Sequence, residues 1–226
     1  CYMTDFEDSL TPTFDNLMQG QLNIKDAINK KIDFTDEKSG KEYKLNEKTA
    51  ILIVRPRGLH LDEKNITIEG KRISGTFFDL GLSLFHNAKK LVENGTGPYF
   101  YLPKLEHYLE CRLLNDVISF YEKKFGLEIG TVKVTVLIET INAVFQMDEF
   151  LWELKDHIVG LNAGRWDYLF SYQKVYRNTK KVILPDRSKV NMFVPFMSNY
   201  NKLLVDTCHR RGAFGMGGMS AQVIAK

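Results

Sequence analysis

The chain has 226 residues, 44% of them apolar and 26% charged, with a formal net charge of +3. That composition suits one large globular domain or two small ones. Basic residues are scattered among acidic ones and no apolar run approaches the ~20 residues of a membrane span, so neither nucleic acid nor a membrane is an expected partner.

Residues 1–5 form the first strand candidate. Residues 31–48 are polar and charged around a Ser39-Gly40 turn and read as an inserted hairpin or loop. Ala50-Ile51-Leu52-Ile53-Val54 is continuous and β-branched, as expected of a buried parallel strand. A helical stripe follows at Gly81, Leu84, Phe85, Ala88, Leu91 and Val92, then a strand at Tyr99-Phe100-Tyr101-Leu102. A second stripe, Leu114, Val117, Ile118, Tyr121 and Phe125, leads to a strand over 131–138. Val144, Met147, Leu151 and Leu154 repeat the helical spacing. Residues 158–161 read as a strand that breaks into a loop built on Gly160, Asn162 and Gly164 and delivers Asp167. Tyr200, Leu203, Leu204, Thr207 and Cys208 form the last stripe, before a weaker strand over 212–216. The stripes are expected to face the core.

Strand–helix alternation predicts a parallel sheet, either open and doubly wound or closed as a (β/α) barrel. A dinucleotide-binding sheet needs a glycine-rich turn after its first strand. Here that strand leads into Glu7-Asp8-Ser9, which would repel a pyrophosphate. The expectation is therefore α/β, a TIM (β/α)8 barrel that is incomplete, with about six of eight strand–helix units present. Cys1 opens what reads as the inside of a strand and Val223-Ile224-Ala225-Lys226 ends as abruptly, so residues 1–226 are expected to be the central part of a barrel catalytic domain. Cys1, Cys111 and Cys208 are odd in number and without metal spacing, which points to a reducing compartment rather than a disulfide scaffold.

Barrel enzymes place their chemistry at the C-terminal ends of the strands. Applied here, the rim collects Asp5, Glu7 and Asp8, then Arg55 and Arg57, then Lys104, Glu139 and Asp167. Glu139 follows the most apolar strand, where a carboxylate is costly unless paired or bound to a cation; the structural alternative is a helix-entry acid favoured by the dipole. Asp167 is either a loop cap or a ligand. Two hard oxygen donors from neighbouring strand ends suit Mg²⁺, which takes one or two protein carboxylates. Asp5 and Glu7 are either charged loop residues or hold the water carried by such a metal. Arg55 is either a structural ion-pair partner or a fixed guanidinium for a developing anion. Arg57 is expected to be structural and Lys104 a solvated rim cation. His157 precedes its strand, on the wrong side for the rim, so it is expected to make a structural hydrogen bond, and Cys208 to lie in the core. His60, His86, His107 and His209 show no ligand spacing.

Asp156-His157-Ile158-Val159-Gly160-Leu161-Asn162 with Gly164-Arg165-Trp166-Asp167-Tyr168 resembles the signature of the shorter, A-type malate synthases. The resemblance extends to Asp5-Phe6-Glu7-Asp8-Ser9, Val54-Arg55, Arg57-Gly58-Leu59-His60-Leu61, Gly97-Pro98-Tyr99-Phe100-Tyr101-Leu102-Pro103-Lys104, Leu137-Ile138-Glu139-Thr140, Ala143-Val144-Phe145-Gln146-Met147-Asp148-Glu149 and Arg211-Gly212-Ala213-Phe214. It implies a TIM-barrel enzyme condensing acetyl-CoA with glyoxylate and water to give malate and CoA in the glyoxylate cycle. It implies Mg²⁺ on Glu139 and Asp167, water held by Asp5 and Glu7, and the glyoxylate carboxylate on backbone N–H groups at Gly164, Arg165 and Trp166. Arg55 is implied to stabilise the enolate.

The family's catalytic aspartate lies beyond the matched segments, as do its N-terminal region and its C-terminal helical domain. These residues alone are therefore expected to be inactive. A cytoplasmic setting is expected, or a peroxisomal or glyoxysomal one in a eukaryote. A malyl-CoA or citramalyl-CoA lyase on a similar barrel, or an inactive metal-binding fragment, is the alternative reading. The Gly-Arg-Trp-Asp-Tyr run at 164–168 and the 31–48 insertion favour the synthase.

Overall fold

A computed structural model describes residues 1–218. The expectation about residues 223–226 lies outside them. The chain divides into two compact units: Cys1–Pro103 with Asp116–Lys133, and Lys104–Asn115 with the residues from Val134 onward.

The first unit opens with β1 (Tyr2–Asp5) and α1 (Phe14–Ile28). Sequence reading passed over α1, whose buried face is only Leu17, Gln21, Ile24 and Ile28. Its start is nonetheless coded: the Thr13 hydroxyl accepts the Asn16 N–H, and Asp15 sits in the first turn, where the helix dipole favours an acid. The 31–48 segment forms the expected hairpin, β2 (Asp33–Thr35) antiparallel to β3 (Glu42–Lys44). Next comes β4 (Leu52–Arg55), which begins later than expected and leaves Ile51 exposed. A second hairpin, β5 (Asp62–Ile68) and β6 (Lys71–Ser74), was not anticipated. Its signal was the Glu69-Gly70 turn, where both residues have positive φ, as a tight two-residue hairpin loop requires.

The helix α2 (Gly75–Glu93) and β7 (Tyr99–Leu102) follow, then α3 (Tyr108–Phe125), which belongs to the first unit from Asp116. β4 runs parallel to both β1 and β7. The β1–β4 register aligns Asp5 with Arg55. Leu84, Ala88 and Leu91 of α2 are buried as expected, but Phe85 and Val92 on the same proposed stripe are exposed. A 3.6-residue period spreads those two to the edge of the face, beyond what the sheet covers.

The second unit contains β8 (Lys133–Ile138), α4 (Ile141–Val144), α5 (Met147–Glu153), β9 (Ile158–Ala163), α6 (Arg165–Tyr176), α7 (Pro195–Arg210) and β10 (Phe214–Met216). β9 is parallel to both β8 and β10. The expected loop at Gly160 and Asn162 is strand. Gly160 is there because β10 passes so close that a Cβ would meet the Phe214 carbonyl oxygen at 2.0 Å. Asn162 donates its amide to the Gly217 carbonyl at 2.6 Å. Tyr168 of α6 stacks on Tyr200 of α7 with ring centroids 4.0 Å apart, and the Tyr200 hydroxyl bonds the Ile138 carbonyl. Leu204 and Cys208 are buried as expected, whereas Leu203 is exposed. His157 is buried and meets Asn115 Oδ1 at 2.9 Å through Nδ1, the structural role expected of it.

Among the described residues six strands, three in each unit, run parallel to their neighbours within the unit and match the strand–helix units read from sequence. Among the described residues no helix is long and apolar enough to cross a membrane.

Candidate active site

In the second unit, the pairing Ile138↔Ala163 ends β8 and β9 side by side, so the next residues, Glu139 and Gly164, are neighbours. The chain turns at once into helices. Thr140 caps α4 by accepting the Ala143 N–H, and Gly164 occupies the N-cap of α6. Asp167 therefore lies in the first turn of α6, not in a loop as expected.

The Glu139 side chain is 1% exposed and that of Asp167 33%. Lys104 joins them. Its backbone N–H donates to Glu139 Oε1 at 2.6 Å, and its Nζ stands 3.8 Å from that oxygen and 3.1 Å from Asp167 Oδ2. Lys104 adopts φ +58°, a left-handed conformation uncommon for a side-chain-bearing residue and concentrated at functional sites. The expected solvated rim cation is thus a partner of both acids. Its sequence signal was only its place after a strand.

The two carboxylates already converge on one cation, so their donor chemistry suits a second. Among the described residues no three His, Cys, Asp or Glu side chains gather as a metal cage.

The start of α6 also presents backbone N–H groups with no intrahelical acceptor. The side chains beside them are engaged elsewhere: Arg165 donates to the Val190 carbonyl at 2.6 Å, and its guanidinium lies 4.2 Å from the Trp166 ring centre. The Gly164 N–H is bonded to the Ile138 carbonyl at 3.4 Å, so what this turn offers an anion is the backbone of Arg165 and Trp166.

In the first unit, Arg55 is buried and held by three acids. It binds Asp5 in a fork, Nε to Oδ1 at 2.7 Å and Nη2 to Oδ2 at 2.5 Å. Nη1 lies 3.3 Å from Glu7 and Nη2 3.6 Å from Asp8. Asp5 also accepts the Glu7 N–H and both the N–H and hydroxyl of Ser9. Burial pushes the Asp5 carboxyl up, but the Arg55 and Ser9 hydrogen bonds outweigh it and hold it at about 2. For Arg55, burial alone would weaken the charge, yet Asp5 and its acidic neighbours raise its pKa. Sequence reading gave a structural ion pair as one reading of Arg55 but named no partner; the partners are Asp5, Glu7 and Asp8.

Arg57 is structural, as expected. Its guanidinium bonds Asp79 at 2.9 and 3.0 Å and Glu63 at 2.8 Å, and all three are buried. Burial pushes the Asp79 carboxyl up and the Arg57 bonds only partly oppose it. Asp79 and Glu63 were missed, although an acid inside the apolar stretch Phe77-Phe78-Asp79-Leu80 was a visible sign of a buried partner.

The family model described as "Malate synthase, TIM barrel domain" matches residues 51–226. The chain is 52% identical to a malate synthase of Myxococcus xanthus over 225 residues, covering 100% of this chain and 41% of that protein. It is also 52% identical to malate synthase A of Escherichia coli, covering 42% of it. The chain thus spans about two fifths of the length of these relatives. Among solved structures, a Haloferax volcanii malate synthase in a magnesium/glyoxylate complex shares the fold, with a TM-score of 0.65 at 14% identity over 97% of this chain and 54% of that one. The chain belongs to the malate synthase TIM-barrel domain family.

Proposed function

We propose that these residues are the central part of the catalytic barrel domain of a malate synthase, with the 31–48 hairpin inserted in it. The reaction is the condensation of acetyl-CoA with glyoxylate and water to malate and free CoA. The observation that carries the reading is the convergence of Glu139 and Asp167, from neighbouring strand ends, in a chain of this family.

In this reading Glu139 and Asp167 hold Mg²⁺, the ion in the complex of the Haloferax volcanii malate synthase. When bound, the ion would supply Lewis-acid polarisation of the aldehyde and a template for its orientation. The N–H groups at Arg165 and Trp166 orient the glyoxylate carboxylate. Arg55, kept charged and immobile by its acids, offers a preorganised guanidinium to the negative charge that develops as the acetyl group becomes an enolate. Asp5 and Glu7 set the orientation of Arg55. No acid of this chain is assigned as the base that takes the methyl proton. The free cysteines Cys1, Cys111 and Cys208 agree with a reducing compartment, cytoplasmic or, in a eukaryote, peroxisomal or glyoxysomal.

Free-thiol release from acetyl-CoA with glyoxylate and Mg²⁺, followed in the longest chain that contains these residues, tests the proposal. Glyoxylate-dependent release that disappears in Asp167→Asn is expected. Absence of release from the unaltered protein overturns the synthase reading, and full activity in Asp167→Asn removes Asp167 from the metal site.

A further inference from the structure

We propose that Lys104 is the resident cation of the Glu139–Asp167 pair, and that it sets the strength of metal binding by competing with the divalent ion for the same carboxylates. The inference rests on the reading of those acids as Mg²⁺ ligands.

The ammonium stands 3.1 Å from Asp167 Oδ2 and 3.8 Å from Glu139 Oε1, within ion-pair range of both. Its position is built in. The Lys104 N–H is bonded to Glu139 Oε1, so backbone and side chain address the same acid. Lys104 follows β7 directly and holds a left-handed backbone conformation. Glu139 is almost wholly buried, and two ionised carboxylates facing one site repel each other. One lysine charge set between the two carboxylates offsets that repulsion and holds the pair together before the metal arrives.

The same charge opposes a divalent ion at close range. Binding requires the ammonium to swing outward, which its flexible four-carbon stem and 21% exposed side chain permit. Lys104 is thus a positioning residue with two opposite effects. It stabilises the empty pair and weakens the affinity of the pair for metal.

The test is calorimetric titration of MgCl₂ into the longest chain containing these residues, with thermal melts with and without Mg²⁺. Lys104→Met removes the charge and keeps much of the stem, and Lys104→Arg keeps the charge. Lys104→Met is expected to bind Mg²⁺ about tenfold more tightly, to melt lower without metal, and to gain more from it. Lys104→Arg is expected to restore wild-type affinity. Unchanged or weaker Mg²⁺ binding in Lys104→Met, while Asp167→Asn abolishes binding, overturns the role of Lys104 and leaves the metal site standing. No heat of Mg²⁺ binding in the unaltered protein, or equal binding in Asp167→Asn, overturns the metal reading itself.

Discussion

Gly164 is packed against Glu139: a Cβ at residue 164 would stand 2.6 Å from the Glu139 Cβ and 3.2 Å from its Oε2. The contact follows from the register that ends β8 and β9 together. It also explains why the signature needs a glycine there: any side chain would push away the acid it is meant to neighbour. Gly164→Ala is expected to displace the Glu139 side chain, weaken Mg²⁺ binding at least tenfold, and cost about 1–3 kcal/mol in stability by overpacking. Metal titration and urea melts on the same preparation check it. Wild-type affinity would mean that Glu139 tolerates the shift and that the close packing has no bearing on the metal.

The Arg57–Asp79–Glu63 cluster is a buried ion-pair network of the first unit. A buried ion pair adds little over an apolar core, but breaking one leaves a charge uncompensated. Asp79→Ala removes both oxygens from the Arg57 fork and the acceptor of the Arg57 N–H. A loss of about 3–5 kcal/mol is expected, read from the midpoint of a urea transition with an unchanged slope. A loss below about 1 kcal/mol would show that Glu63 alone holds the arginine.

Much of this was legible because parallel strands are nearly continuous apolar runs. Residues 99–102 and 131–138 announce β7 and β8 that way, and the acids after such runs fall where barrel chemistry sits. The 31–48 hairpin stood out as a polar interruption. What stayed hidden depends on distant partners. Lys104 and Glu139 are 35 positions apart, and nothing local tells a solvated lysine from one turned onto two carboxylates. Gly160 and Asn162 are turn formers by type, yet the approach of Phe214 and Gly217 makes them strand residues, and the helix carrying Asp167 then begins where a loop was expected. Gln21, within the buried face of α1, masked that helix in the same manner: it is polar, but its amide bonds the Asp79 carbonyl.

The Asp5–Arg55 fork makes stability depend on acid. Asp5 titrates at about 2 when folded, against 3.8 ordinarily. The unfolded chain therefore binds the proton first as pH falls. The contribution is complete above about pH 4 and is lost toward pH 2, and it is on the order of 1–2 kcal/mol after allowance for solvent screening. Thermal melts across that range should show a steep acid limb. Asp5→Asn should lower stability at neutral pH and flatten the part of the limb that Asp5 supplies. An unchanged limb would assign the acid sensitivity to other carboxylates.

Gly160 and Gly164 flank the end of one strand but answer to different neighbours, so their alanine variants should separate fold from site. At Gly160 a Cβ would collide with the Phe214 carbonyl oxygen at 2.0 Å and with its carbon at 2.8 Å. Backbone cannot swing aside as a side chain can, so β10 must detach from β9 or both must shift. A loss of about 3 kcal/mol, at the upper end for overpacking, is expected. Hydrogen exchange should rise along Phe214, Gly215 and Met216, which pair with Gly160, Leu161 and Asn162. The other edge of β9 still pairs with β8 from Thr135 to Ile138, so Glu139 and Gly164 remain neighbours. Mg²⁺ affinity should consequently survive Gly160→Ala under conditions where the protein stays folded, whereas Gly164→Ala should lose it at a smaller cost in stability. Equal loss of metal binding in both variants would mean that β10, and not only the β8–β9 register, holds the carboxylates in place.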